Sequence, residues 1–229
     1  MDFVEVVYRR LEERWIKTHD YVDWAAQLLD EGCEAPSVAE LASCSLEAHP
    51  DAQQVERLFQ SCMLELGLTL PLNWYDALLA YTSNMCKKIL LGTLQPWVGV
   101  QEMLALSDDN NEPYILRIWI DLARDISDGN AKDSDHILFN NALRLDNPDE
   151  CIRRTALQYV ALCAIPLAHK FPLIWWCQKC EAVSDENTFT ETKTHTCAKC
   201  GSASSMKNMR FFEHRDALSA KASYENNVL

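Results

Sequence analysis

The sequence predicts a mainly α fold: an irregular multi-helix array over residues 1–170, a small β-rich module over 171–215 and a polar tail over 216–229. Three observations carry this. Up to residue 170, apolar residues recur every three or four positions, the interval that lines one face of an α-helix. Those runs are punctuated by residues that start and stop helices. After Ile174 the helical period is lost and Thr, Phe and Trp become frequent, as in strands. With 229 residues, 48% of them hydrophobic, and only 6 Gly and 8 Pro, the chain can bury a packed core.

Residues 3–16 place Val4, Val7, Leu11 and Trp15 on one helical face. Residues 20–31 continue through Tyr21, Trp24, Ala25, Leu28 and Leu29, and Gly32 supplies a stop. Ser37-Val38-Ala39-Glu40 matches a capping box, in which the Ser hydroxyl accepts a backbone N–H while Glu reaches back. That short helix ends before His49-Pro50. Asp51 to Leu66 is amphipathic through Val55, Leu58, Phe59, Cys62 and Met63, and stops at Gly67. Asn73 reads as the cap of a helix with Leu78, Leu79, Tyr81, Met85, Ile89 and Leu90 on its apolar face and Gly92 at its end. Val98 to Leu106 forms a shorter helix. Pro113 suits the first turn of another, through Ile115, Ile118, Trp119, Leu122 and Ile126. Ser134 to Leu145 is a further helix. Asn147-Pro148-Asp149-Glu150 combines a cap, Pro at the first helical position and acids facing the positive end of the helix dipole. The helix it opens runs to Ala164. No period of 30–45 residues repeats, so a regular solenoid is not expected. Thr188 to Thr196 alternates as a strand does, Met206 to Phe212 is a second candidate, and Asp216 to Ala222 is helical in pattern.

The formal net charge is −13, unevenly spread: residues 1–170 hold 14 basic and 27 acidic side chains, residues 171–215 hold 6 and 5. Between Lys17 and Arg57 there is no Lys or Arg, while Asp20, Asp23, Asp30, Glu31, Glu34, Glu40, Glu47, Asp51 and Glu56 fall there. Such a surface keeps a protein soluble and repels a phosphate backbone, so nucleic acid is an unfavoured partner and a basic protein a favoured one. No long uninterrupted apolar run spans a bilayer. The start, Met1-Asp2-Phe3-Val4-Glu5, lacks the basic and apolar regions of a secretory signal. The 10 Cys are therefore read as reduced thiols of a cytoplasmic protein.

Cys177-Gln178-Lys179-Cys180 and Cys197-Ala198-Lys199-Cys200 are two Cys-x-x-Cys elements with 16 residues between them. Each can turn a tight knuckle with both sulfurs aimed at one centre, and two knuckles complete a tetrahedral S4 shell that suits one structural Zn²⁺. Gly201 helps the second knuckle turn, whereas Glu181 stands at the equivalent place in the first, which predicts a less regular turn there. Iron–sulfur ligation by the same four sulfurs and a redox Cys-x-x-Cys pair are the alternatives, the latter disfavoured because such a pair normally stands alone near a βαβ unit. His195 is surplus to a four-Cys shell. The arrangement resembles the zinc-ribbon family over residues 173–213, a resemblance that implies a metal but no particular activity. Of the adjacent Trp175 and Trp176, one is expected to pack under the knuckles and the other to face the helical domain or a partner, docking on the helical domain being favoured, because neighbouring strand residues face opposite ways. Cys62, Cys86 and Cys163 fall on apolar faces as core residues.

There is no Gly-rich phosphate loop, nucleophile elbow or His-Glu-x-x-His, so no enzymatic activity is expected. His19, Asp20 and Asp23 read as a capped, solvent-facing helix start. His136 follows Asp133 and Asp135, again at a helix start, and His169 and His214, which flank the module, have no evident partners. Trp15, Trp24, Trp74, Trp97 and Trp119 read as core or helix-edge residues. The segments Tyr21-Val22-Asp23-Trp24-Ala25-Ala26-Gln27-Leu28-Leu29 and Ala80-Tyr81 through Ile89-Leu90-Leu91-Gly92-Thr93-Leu94-Gln95-Pro96 resemble small helical bacterial immunity proteins, over residues 15–125. That resemblance implies a binding protein that neutralises a basic cognate toxin, often a nuclease, by occlusion. Under it, Asp20, Asp23, Asp30, Glu31 and Glu34 are the partner contacts. The alternative is a zinc-ribbon adaptor in a nucleic-acid or transcription-related assembly, using Lys193, Lys199, Lys207, Arg210 and Arg215 with Phe211 and Phe212.

Overall fold

A computed structural model describes residues 1–12, 16–47, 50–109, 113–129, 143, 146–164, 171–172, 174–185, 196–202 and 206–209. The predicted helix at 134–145 apart from Leu143, the strand at 188–196 apart from Thr196, the helical stretch at 216–222, and Trp15, His136, His169, His195 and His214 lie outside those residues. The fold is mainly α, and the chain divides into two compact units, Met1–Asn84 and Met85–Leu229. The division falls inside a helix. Among the described residues, no helix is long and apolar enough to cross a membrane.

The first unit holds α1 (Phe3–Leu11), α2 (Thr18–Asp30), α3 (Pro36–Ser43) with a 3-10 turn at Cys44–Leu46, α4 (Ala52–Glu65) and the start of α5 (Trp74–Leu91). Polar side chains set the starts. Asp2 accepts from the Glu5 amide at 3.0 Å and Asp51 from the Gln54 amide at 2.8 Å, each satisfying a donor that the helix leaves unpaired. The stops at Gly32, Gly67 and Gly92 share one geometry. Each Gly has positive φ, and the next residue donates back five positions, Cys33 to Leu28, Leu68 to Met63 and Thr93 to Lys88, at 2.8–3.0 Å.

The capping box expected at Ser37 does not form. Ala35 is the N-cap, Pro36 opens α3, and Ser37 is already helical. The Ser37 amide donates to the Glu65 carboxylate at 3.0 Å, and the Ser37 hydroxyl donates to the same oxygen. A carboxylate from the end of α4 thus takes the place that Glu40 was expected to fill.

Trp24, Val38, Leu41, Val55, Phe59 and Cys62 form the core of this unit. Phe59 is its hub: Tyr21, Trp24 and Phe3 approach it with centroids at 4.6, 5.4 and 6.5 Å. Arg10 closes the edge of this cluster. Its guanidinium lies 5.5 Å from the Phe59 ring, donates to the Tyr21 hydroxyl at 2.9 Å, and forks onto Glu56 at 2.5 and 2.7 Å.

The hydrogen bonds from Arg10 hold the Glu56 carboxyl below the ordinary range, against a smaller opposing effect of burial. Because the native pKa is depressed, the stabilisation is complete above the unfolded value of about 4.3 and is lost as pH falls through the native one. Glu56→Gln is therefore expected to lower stability by about 1 kcal/mol at pH 7, solvent screening keeping the value small. The gap to the unmodified chain should narrow as pH falls below the unfolded value of about 4.3 and close once pH has passed the depressed native value, as read from urea midpoints. A gap that does not narrow on acidification would mean that packing, not charge, is lost.

The second unit continues α5 and adds α6 (Pro96–Asp109), a 3-10 turn at Tyr114–Leu116, α7 (Arg117–Gly129), α8 (Pro148–Cys163), β1 (Ile174–Cys177), β2 (Val183–Asp185) and β3 (Met206–Met209). The α8 start agrees with its sequence signal: Asn147 accepts from the Glu150 amide at 3.3 Å, and Pro148 opens the helix. Gly99 is buried on α6, and a Cβ there would stand 2.5 Å from Ile89 Cδ1. Glycine therefore permits the close approach of α6 to the end of α5. Arg153 of α8 donates to the Ile89 carbonyl at 2.6 Å, one of the last carbonyls of α5. Trp119 and Tyr159 are fully buried, with centroids 5.5 Å apart. Trp97, expected as a core or helix-edge residue, is 37% exposed in the first turn of α6.

Candidate metal centre

Among the described residues, three strands form an antiparallel sheet in the order β2-β1-β3. Cys177 ends β1 opposite Met206 of β3, and Trp175, on the same face by strand alternation, stands opposite Ser184 and Asn208. Trp175, Ala182, Cys180 and Cys200 pack around a buried centre of Cys177, Cys197 and Met206. Trp175 is thus the tryptophan under the knuckles, and Trp176 faces the other way, half-buried, with Val183 and Lys207 as its cross-strand partners.

Both Cys-x-x-Cys elements fold into the same turn. In the first, the Glu181 amide donates to the Cys177 carbonyl at 2.8 Å and the Cys177 amide donates to the Ala182 carbonyl at 2.9 Å. In the second, Gly201 donates to Cys197 at 2.8 Å and Cys197 to Ser202 at 3.0 Å. Residue for residue, the two knuckles match. Glu181 and Gly201 also share a left-handed backbone, φ 56° and 67°. The first knuckle is therefore not the less regular one: Glu181 accepts the strained conformation that glycine adopts freely in the second.

Opposite effects are expected at these two positions. Glu181→Gly relieves the strain and should leave metal-loaded stability level or raise it by up to about 1 kcal/mol. Gly201→Ala should lower it by about 1 kcal/mol through the backbone alone, because a Cβ at Gly201 meets nothing within 4 Å. Thermal melts of the two variants with metal bound check both signs.

The four Sγ atoms of Cys177, Cys180, Cys197 and Cys200 lie within 4.8 Å of one another. Cys177 and Cys200 are 3.7 Å apart, Cys180 and Cys197 3.6 Å. Sulfurs at tetrahedral corners about 2.3 Å from a common ion stand about 3.8 Å apart. A disulfide needs about 2.05 Å. The cluster therefore has the dimensions of a metal shell. The Ala182 backbone hydrogen bond favours the Cys180 thiolate, but burial and the neighbouring sulfurs of Cys197, Cys200 and Cys177 outweigh it and push the thiol up to about 12. A cation among the four sulfurs reverses that preference, which is why thiolate sites and metal ions stabilise one another. Lys179 and Lys199, one inside each knuckle, are exposed.

The remaining thiols are of a different kind. Cys44, Cys62, Cys86 and Cys151 are buried. Burial pushes up the Cys44, Cys62 and Cys86 thiols, and Cys163 to about 12. The helical spacing of the apolar residues predicts core positions for Cys62 and Cys86, where they lie, and for Cys163, which is half-buried; Cys44 and Cys151 carried no such signal.

The acidic residues expected at a partner contact do not share one environment. Asp23, Asp30, Glu31 and Glu34 are exposed on α2 and the turn after it, with Glu31 accepting from the Gln27 side chain at 2.7 Å. Asp20 is 9% exposed, accepts from the Lys17 amide at 2.7 Å and faces Arg9 at 3.6 Å. It serves the start of α2, which begins at Thr18. His19 beside it is exposed.

Compared with protein-family models, with curated proteins and with solved structures, the chain matches none.

Proposed function

We propose that this chain is a non-catalytic binding protein that holds one structural Zn²⁺ and receives a basic protein partner on the acidic surface of α2. The observation that carries the reading is the exposure of Asp23, Asp30, Glu31 and Glu34 within a stretch, Lys17 to Arg57, that contains no Lys or Arg between its ends. Opposite charge on a partner speeds encounter and selects against wrong partners. A cognate toxin domain such as a basic nuclease is the kind of partner that fits, and the corresponding role is that of an immunity protein acting by occlusion.

Zinc suits the four cysteines because soft thiolates in tetrahedral array favour it. Four protein sulfurs fill the shell and leave no position for a substrate water, so the ion's role is structural. The thiolates also outweigh the dication in charge, which disfavours phosphate at the ribbon.

The test is charge reversal. Changing Asp23, Asp30, Glu31 and Glu34 together to Lys should slow association with a basic partner isolated from the native host by at least about tenfold, with the melting temperature unchanged. Asp20→Asn should do the opposite, lowering the melting temperature while leaving association intact. Unchanged binding by the fourfold variant would refute the assigned surface.

A further inference from the structure

We propose that the ribbon is a metal-releasing thiol switch, in which a hydroperoxide converts the four ligands into two disulfides that cross the knuckles, Cys177–Cys200 and Cys180–Cys197. The switch rests on the four-thiolate zinc shell proposed for these cysteines and adds its regulation.

Exposure selects where oxidation starts. The first cysteine of each pair is buried, Cys177 at 0% and Cys197 at 1% exposure, while Cys180 and Cys200 are half-buried. A peroxide arriving from solvent meets the second cysteine of either knuckle. A buried sulfur of the other knuckle lies close to each half-buried one. The sulfur contacts at 3.6 and 3.7 Å each join a half-buried sulfur of one knuckle to a buried sulfur of the other. The hydrogen bonds within each turn, Glu181 to Cys177 and Gly201 to Cys197, are made by backbone atoms and do not use the sulfurs. Burial keeps peroxide from most of the other thiols: Cys44, Cys62, Cys86 and Cys151 are buried.

The chemistry balances. Cys180 Sγ attacks one peroxide oxygen, the O–O bond breaks, and the departing oxygen takes up protons and leaves as water. Cys180 is then a sulfenic acid. Cys197 Sγ attacks that sulfur, the S–O bond breaks, and a second water leaves. Cys200 and Cys177 repeat the sequence. Four thiolates, two hydrogen peroxide molecules and four protons give two disulfides, four waters and one released divalent cation. The four electrons lost by sulfur reduce the two peroxides. The new bonds join the same two turns that the ion held together, so the ribbon lets go of its metal while staying closed. A dithiol reductant with fresh cation restores the shell.

The experiment treats the zinc-loaded full chain with hydrogen peroxide and monitors release with a chromogenic zinc chelator. Trypsin cuts after Lys179 and Lys199, between the two cysteines of each knuckle, so a non-reducing peptide map reads the connectivity directly. The expected result is one equivalent of zinc released, a mass lower by about 4 Da, and peptides linked as Cys177–Cys200 and Cys180–Cys197. Reductant plus zinc should reverse all three. Retention of zinc while Cys33 or Cys163 oxidises first, bridges within a knuckle, or sulfonic acids in place of bridges would overturn the switch. A chain that carries no zinc before peroxide sinks the shell and the switch together, whereas one that carries zinc and keeps it sinks the switch alone.

Discussion

Replacing Cys197 and Cys200 together with Ser is expected to abolish metal binding and unfold the ribbon while the helices persist. A structural zinc site supplies on the order of 10–16 kcal/mol of apparent binding free energy in small zinc modules. Among the described residues the ribbon's own resources are slight by comparison: β1, β2 and β3 contain 4, 3 and 4 residues, and the buried centre is Cys177, Cys197 and Met206. A three-stranded sheet of that size does not close without its ion. Elemental analysis should find one zinc per chain in the unmodified protein and none in the double variant. Amide exchange at Trp175 and Trp176 should lose protection, and far-ultraviolet ellipticity should remain dominated by α-helix. A double variant that kept both its metal and its protected β1 amides would refute the assignment of these ligands.

Phe59→Ala should be the most damaging single change in the first unit, costing about 3–5 kcal/mol. Phe59 is fully buried and is approached by the rings of Phe3, Tyr21 and Trp24. Truncation leaves a cavity between helices that cannot all collapse inward at once, and the Arg10 guanidinium loses the ring it lies against. For a unit of this size the cost is a large part of the total stability. Chemical denaturation should show an early transition for α1–α4, and Phe59→Leu should recover much of the loss because it refills most of the volume. A change below about 1 kcal/mol would mean that the cluster is not close-packed.

Much of the helical pattern was legible in the residues themselves. Asn73 and Asn147 were readable as caps and Gly32, Gly67 and Gly92 as stops, because a helix end is decided by the few residues that touch its unpaired amides and carbonyls. Ser37 shows the limit of that reasoning. Its capping-box pattern is intact in sequence, yet Pro36 opens the helix one residue earlier and Glu65 claims the Ser37 donors.

The metal centre divides in the same way. Cys177, Cys180, Cys197 and Cys200 were identified by spacing alone, because a Cys-x-x-Cys turn brings two sulfurs to one side through local geometry. That Trp175 rather than Trp176 lies against them depends on the pairing of β1 with β3, which no run of residues announces. The left-handed Glu181 is likewise a consequence of closing two matched turns on one centre, and the local preference of Glu opposes it.

By itself, then, the sequence determined the helical class, most of the helix ends and the two Cys-x-x-Cys turns, all of which arise from interactions among residues a few positions apart. Only the tertiary structure decided that Asp20 faces inward while Asp23, Asp30, Glu31 and Glu34 face solvent, that Arg10 forks onto Glu56, that Gly99 makes room for Ile89, and that half-buried Cys180 sits 3.6 Å from buried Cys197. These are meetings between residues distant in the chain. Their energies depend on which surfaces the packed helices and strands bring together, and a one-dimensional pattern does not encode that directly.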